Sequence, residues 1–209
     1  VTLTTWRRDG EGWHCLLGER GLVEEGDLSA YLACVLGLRD YVTKNRFPGV
    51  VLGLSGGVDS ALVAALAADA LGPERVQCLM LPYAYTSGDS LADAQACAKA
   101  LRVRYDVVPI GKPVEGFMAA LSDLFKGRQA DVTEENLQSR VRGTLLMAVS
   151  NKMGSMLVTT GNKSEVSVGY ATLYGDMNGG FNPIKDLYKG QVYALCRLRN
   201  RVRPKGCLG

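Results

Sequence analysis

The 209-residue chain holds a single histidine, His14. A Ser-His-Asp or Cys-His mechanism would have to run through that one imidazole, and a zinc site built on histidine lacks its ligands. His14 lies in a glycine-rich, tryptophan-containing lead-in, where it reads as a surface or packing residue. Paired cysteines are missing as well. Cys15, Cys34, Cys78, Cys97, Cys196 and Cys207 are scattered without a C-x-x-C, mostly on apolar faces, the usage of reduced packing thiols in a cytoplasmic protein. No apolar run approaches the ~18 residues of a membrane span, so no membrane partner is expected. The start, Val1 to Gly10, has no signal-peptide character, and Val at position 1 points to a beginning inside a longer gene product. Charge is nearly balanced, with 24 Lys and Arg against 21 Asp and Glu. A net +3 supplies no basic face for nucleic acid, and the locally basic stretch from Arg197 to Lys205 reads as a solvated terminus. Two common nucleotide motifs are also absent: there is no G-x-x-x-x-G-K-[ST], and no G-x-G-x-x-G follows a strand.

What is present is an ordinary globular composition, 47% apolar and 22% charged, enough for one good core. Within it, Ser55-Gly56-Gly57-Val58-Asp59-Ser60 joins the apolar run from Val50 to Leu54 to the helical run from Ala61 to Leu71. A buried strand that turns directly into a helix leaves the helix's first amides aimed at whatever lies above the strand, which makes an anion site. Gly56 and Gly57 let the turn take unusual dihedrals and let phosphate oxygens approach the main chain. Ser55 and Ser60 add hydroxyl donors. Asp59 would repel a phosphate unless a cation lay between them, which implies magnesium. A glycine pair at such a turn also serves tight packing alone; the whole string in this context favours a pyrophosphate cradle.

Strands and helices alternate along the chain. Residues 1–26 carry charges and both tryptophans without an apolar period and read as a linker. A helix follows through Leu28, Tyr31, Leu32, Val35, Leu38 and Val42, with Asp27 as its candidate cap. Strands are expected over 50–54, 76–81, 105–110 and 156–160, and helices over 61–71, 90–102, 117–125, 134–152 and 188–200, with Gly72-Pro73 ending the second helix and Thr133 capping the long one. The order is that of a doubly wound α/β fold, a parallel sheet with helices on both faces, whose ligands sit outside the strands' carboxyl ends. Residues 161–189 form a long polar loop, more often functional than idle in a compact domain.

Three further groups belong to that end. Glu165, in Thr159-Thr160-Gly161-Asn162-Lys163-Ser164-Glu165, reads equally as a second magnesium carboxylate beside Asp59 or as a first-turn helix residue. Arg140 shares a helix face with Asn136 and reads as a fork for carboxylate or phosphate, or as an ordinary surface arginine. Lys185 and Lys189 close the polar loop, as phosphate-neutralising or as solvated charges.

The string at 55–60 matches the S-G-G-x-D-S pattern of the PP-loop ATP pyrophosphatases, which split ATP between the α and β phosphates to adenylate a substrate. With E-N-L-Q-S-R at 135–140, T-T-G-N-K-S-E at 159–165, Y-G-D at 174–176 and N-P-I-K-D-L-Y-K at 182–189, the chain resembles the synthetase domain of NAD⁺ synthase from about Leu28 to Asn200. The wording around Gly161 and Lys185 is similar to the glutamine-dependent, two-domain members. That resemblance implies an adenine nucleotide α-hydrolase-like fold and ATP-dependent amidation of deamido-NAD to NAD⁺ through an adenylate, with ammonia from glutamine or solution. It implies that Gly53, Leu54, Ser55, Gly56, Gly57, Val58, Asp59, Ser60 and Thr160 bind ATP. Lys189 touches its phosphates, Asp59 and Glu165 hold Mg²⁺, and Arg140 with Glu165 meets deamido-NAD. Asp59, Glu165 and Lys189 would carry catalysis, and Asp176 would help at the reacting carboxylate. It further implies a homo-oligomer with a dimeric synthetase core. Residues 1–26 are then the linker or trailing edge of a missing glutaminase domain and 27–209 the synthetase domain, its carboxyl end truncated after about Asn200. Leu173 stands where shorter, ammonia-using members carry a basic residue. The rival readings are another PP-loop ligase or a nucleotide-binding module without turnover.

Overall fold

The structure, a computed structural model, describes residues 3–18 and 25–209. Its centre is a four-stranded parallel sheet of β3 (Val50–Gly53), β4 (Val76–Met80), β5 (Arg104–Val107) and β6 (Met156–Leu157), in the order β5-β4-β3-β6. Continuous apolar strands suit a sheet covered on both faces, and the side chains divide between them with the period of two that a strand imposes. Val50, Leu52, Cys78, Met80 and Met156 enter one core, while Val51, Leu79 and Leu157 enter the other. The first core is closed by α1 (Gly26–Lys44), α2 (Val58–Leu71), α3 (Gly88–Leu101) and α7 (Lys189–Arg201), and the second by α4 (Gly111–Leu121) and α5 (Val132–Met153). This is the expected doubly wound arrangement.

The chain winds from β3 outward through β4 to β5, then crosses back to place β6 on the other side of β3. The reversal lies between β3 and β6, where an open α/β sheet presents a crevice at its carboxyl ends. That crevice receives the turn at 55–57 and the residues after β6.

Helix α2 is buried on nearly all sides, as a helix with no polar face must be. Leu62 and Leu66 are buried, each contributing about 1.5–3 kcal/mol by leaving water. Its one buried charge is Asp69, whose Oδ2 accepts from Tyr31 Oη of α1 at 2.6 Å and from Arg199 Nε of α7 at 2.7 Å, while Arg199 Nη2 reaches Oδ1 at 3.0 Å. The carbonyls beside it are bound by Arg39, which also donates to the Gly206 carbonyl.

Several boundaries differ from the sequence expectation. The lead-in read as a linker contains an antiparallel hairpin, β1 (Thr4–Asp9) with β2 (Gly12–Gly18), turning at Gly10-Glu11. His14 pairs there with Asp9 at 3.0 Å on an exposed face. Helix α1 is capped at Glu25 rather than Asp27, which lies in its first turn. Helix α5 begins at Val132, because Asp131 caps it by accepting from Thr133 N at 2.8 Å while Glu134 reaches back to Asp131 N. Thr133 is therefore inside the helix. Helix α4 starts at Gly111, earlier than its apolar period at Phe117 indicates. Strand β6 ends at Leu157, with Val158 making an isolated parallel bridge to Phe181. Inside the polar loop a short helix, α6 (Lys163–Ser167), follows Asn162. All six cysteines are unpaired. Among the described residues no helix is long and apolar enough to cross a membrane.

Candidate active site

The turn after β3 is braced from within. Ser60 Oγ donates to the Gly57 carbonyl at 2.9 Å and accepts from Ser55 N at 3.2 Å, and Gly57 N donates to Ser55 Oγ at 3.3 Å. Ser60, which is buried, thus holds the loop's shape instead of standing as a free donor. Gly56 adopts φ +86°, and a Cβ there would lie 2.5 Å from the Ser90 carbonyl oxygen. Its lack of a side chain is required by packing against the start of α3 as well as by the dihedral. Helix α2 starts at Val58 and offers its first amides into the crevice, with Asp59 in the first turn.

Asp59 is held on both oxygens. Asn162 Nδ2 donates to Oδ1 at 2.9 Å, and the Lys189 ammonium pairs with Oδ2. Burial pulls the Lys189 pKa down, but the hydrogen bond and charge of Asp59, with Glu165 adding to them, outweigh it and leave it above the ordinary lysine value. Glu165 caps its own helix: its Oε2 accepts from Asn162 N at 3.2 Å while Asn162 Oδ1 accepts from Glu165 N at 3.1 Å. The starts of α6 and α7 are tied together, Lys189 N donating to Ser164 Oγ at 3.0 Å and Lys163 N to the Leu187 carbonyl at 2.9 Å.

Two adjoining cavities open over this turn. One, of about 430 Å³, is lined by Ser55, Gly57, Asp59, Ser60, Thr160 and Glu165 among others. A larger one, of about 530 Å³, runs from Gly53 and Leu54 across Leu79 and Leu81 to Tyr85, Ser90 and the α5 face of Ser139, Arg142, Gly143 and Leu146. Ser55, Thr159, Thr160 and Asp176 line both, so a ligand can pass from one to the other over the turn. Asp176 is set there by Thr172 N, which donates to its Oδ1 at 2.9 Å, and by its own N–H to Ser139 Oγ at 3.1 Å. The larger cavity, lined by apolar and polar side chains, suits a nucleoside; the smaller, with the helix start, the carboxylates of Asp59, Glu165 and Asp176, and Lys189 paired to Asp59 behind its wall, suits a phosphate chain carried with a cation. Asp59 and Glu165 could together hold a divalent cation. Magnesium takes one or two protein carboxylates and fills its shell with water and phosphate oxygens, which this donor set fits.

The other residues singled out from sequence distribute unevenly. Val58 packs toward the core and lines neither cavity. Lys185 pairs with Asp186 at 3.8 Å on the exposed surface, a solvated charge. Arg140 is exposed, donates from Nε to the Leu173 carbonyl at 3.1 Å and lines neither cavity. The arginine that does reach the larger cavity is Arg142, anchored by Nε to the Leu81 carbonyl at 3.0 Å, its pKa lowered by burial. Sequence reasoning passed over it. The signal was the helical spacing of 139, 142, 143 and 146, which share a face. Asn162, which touches both carboxylates, was also passed over as a site residue.

The family model described as NAD synthase matches residues 30–207. The chain is 59% identical over 181 residues to the glutamine-dependent NAD(+) synthetase of Rhodobacter capsulatus, covering 86% of this chain and 33% of the relative. It therefore spans about a third of the length of the curated relatives it matches. Among solved structures, the glutamine-dependent NAD⁺ synthetase of Acinetobacter baumannii in complex with ADP is similar with a TM-score of 0.86 at 48% identity, over 96% of this chain and 38% of that one. The NH3-dependent NAD synthetase of Campylobacter jejuni is similar with a TM-score of 0.77 at 34% identity, over 85% and 75%.

Proposed function

The chain belongs to the NAD synthase family, and from that premise we propose that it carries the ATP-dependent amidation of deamido-NAD to NAD⁺, releasing AMP and pyrophosphate. The observation that carries this reading is the junction of the two cavities over one strand-to-helix turn, with Asp59 and Glu165 lining the smaller and Lys189 paired to Asp59. The nucleoside of ATP occupies the larger cavity from Gly53 and Leu54, and the phosphates cross Ser55, Gly56, Gly57 and Thr160 to the amides of α2. The ADP complex of the Acinetobacter baumannii relative supports nucleotide binding here.

A pyridine carboxylate is a poor electrophile. Its oxygen attacks the α phosphorus, the bond from that phosphorus to the bridging oxygen breaks, and pyrophosphate leaves. Ammonia then adds to the acyl carbon, loses a proton, and AMP departs as the amide forms. Neither step needs a protein nucleophile, so a site of donors and charges is sufficient. Lys189 neutralises charge that builds on the leaving pyrophosphate, and the α2 amides receive its oxygens. Asp59 and Glu165 would hold magnesium, which when bound supplies charge neutralisation for the phosphate chain. Asp176, on the wall shared by both cavities, lies where the nicotinate carboxylate must meet the α phosphate. Arg140 would meet the distal part of deamido-NAD from outside the cavities.

The same proposal assigns residues 27–209 to the synthetase domain and residues 1–26 to the edge of a glutaminase domain that supplies ammonia in the full-length protein, as the glutamine-dependent relatives support. A cytoplasmic setting, supported by the unpaired thiols, and a dimeric synthetase core complete it. The test supplies Mg-ATP, deamido-NAD and ammonium and measures NAD⁺, AMP and pyrophosphate in equal amounts. Release of ADP and phosphate instead would sink the assignment.

A further inference from the structure

Asn162 is fully buried, an unusual place for an amide, and it makes hydrogen bonds to the carboxylates of both Asp59 and Glu165. Its Nδ2 donates to Asp59 Oδ1 across 103 residues of sequence, its Oδ1 accepts from Glu165 N, and its backbone N–H donates to Glu165 Oε2. The amide's orientation is fixed by chemistry: the atom facing the Glu165 N–H must accept, so the donor faces Asp59. Capping alone does not call for asparagine here, since serine, threonine and aspartate cap about as well. None of them pairs the cap acceptor with a donor reaching Asp59. Aspartate would set a second negative charge against the first.

We propose that Asn162 is a positioning residue for the magnesium site, orienting the carboxylate of Asp59 from α2 and that of Glu165 from α6 into one cavity. The inference rests on the reading that Asp59 and Glu165 hold the metal. With Asn162 on Oδ1, Asp59 turns Oδ2 toward Lys189 and the phosphate path. Glu165 keeps Oε2 on the cap while its side chain lines the smaller cavity. A rigid, buried hub lets two carboxylates from distant parts of the chain meet one ion in a fixed geometry.

The experiment compares wild type with Asn162→Ser, which retains the cap and removes the donor, using Mn²⁺ as the probe and α,β-methylene-ATP as a nucleotide that the reaction cannot cleave. Bound and free Mn²⁺ are distinguished by electron paramagnetic resonance. Asn162→Ser is expected to melt close to wild type, yet to bind Mn²⁺ with the analogue about 10- to 100-fold more weakly, the usual cost of losing a partner behind a metal ligand. Asn162→Thr, nearer in volume and also a capping residue, carries the same expectation should the serine variant fold poorly. Unchanged Mn²⁺ affinity in a folded variant overturns the proposal. Asp59→Asn separates the two levels: if it loses Mn²⁺ while Asn162→Ser does not, only the positioning role fails, and if it too binds Mn²⁺ like wild type, the metal reading of Asp59 fails.

Discussion

Arg199→Met should be the most destabilising single change on α7. The Asp69 side chain is 0% exposed and that of Arg199 21% exposed, so this is a buried pair, not a screened surface one. Asp69 accepts two hydrogen bonds from the guanidinium and one from Tyr31. Removing the guanidinium leaves a buried carboxylate with one neutral donor, a loss of about 3–5 kcal/mol. Domains unfold with only about 5–15 kcal/mol in hand, so a large share of the total stability goes. At about 2–4 °C per kcal/mol for a domain of this size, the melting temperature should fall by ~6–20 °C. Replacing the whole network is a different perturbation. The triple change Tyr31→Phe, Asp69→Leu and Arg199→Met leaves no orphaned charge or hydroxyl, and should return to within about 1–2 kcal/mol of wild type. Urea denaturation followed by circular dichroism measures both. A loss under 1 kcal/mol for the single variant, or a triple variant no more stable than the single one, would refute the view that orphaning Asp69 is the dominant cost.

Lys189→Met removes the ammonium and should weaken ATP binding about 10- to 100-fold, the worth of a charged hydrogen bond, as read by calorimetric titration. The pKa of Lys189 is raised in the folded protein, so its stabilising contribution is complete below the ordinary lysine value, about 10.4, and is lost only as pH climbs through the higher folded value. The stability gap between wild type and Lys189→Met should therefore stay flat from pH 7 to 9; a gap that closes there contradicts the pairing. Gly56→Ala, at φ +86° and 2.5 Å from the Ser90 carbonyl oxygen, should cost more than about 2 kcal/mol, whereas Gly57→Ala, whose nearest contact is Ser55 Oγ at 3.3 Å, should cost under about 1. Equal denaturation midpoints for the two would remove the steric explanation. Burial pushes the Cys78 thiol up to about 12, so at pH 8 a disulfide reagent should label exposed Cys15 at once and Cys78 only on unfolding, as peptide mapping will show.

The sheet and the strand-to-helix turn at 55–57 were legible because each rests on a local signal. Uninterrupted apolar strands report burial on both faces, and the serines, glycines and aspartate at 55–60 report a strand-to-helix turn. The hairpin at 4–18 was missed although Asp9-Gly10 is a known hairpin signal. The two strands carry no clean alternation, since both faces are exposed. Arg140 lies in the E-N-L-Q-S-R motif, whereas Arg142 just beyond it lines the larger cavity. Only the packing of α5 on β3 and β6 reveals which side of the helix faces the ligand. Asn162 was illegible for a deeper reason. Its value lies in a hydrogen bond to Asp59 that sequence spacing does not predict, and a buried asparagine looks like any loop asparagine until its partners are placed.

Helices α2 and α7 explain how the site is kept in register. Asp59 pairs with Lys189 and Asp69 with Arg199, and each pair of positions is ten residues apart on its own helix. Equal spacing at both contacts means that the two helices run parallel, docked at points ~15 Å apart along their axes. Between them the buried Val192 and Leu195 of α7 pack into the first core, and the two pairs add directional bonds at either end of that contact. Lys189 sits in the first turn of α7, where its own N–H also donates to Ser164 Oγ at 3.0 Å. The Asp69 network is therefore a second joint between α2 and α7, at the far end from the Asp59–Lys189 pair. It follows that Arg199→Met should lower ATP affinity even at temperatures where the variant is fully folded. The triple apolar replacement, which restores packing but not the directional bonds, should recover stability before it recovers that affinity. If both variants bound ATP like wild type while folded, the far joint would be irrelevant to the site, and the Asp59 pair alone would position Lys189.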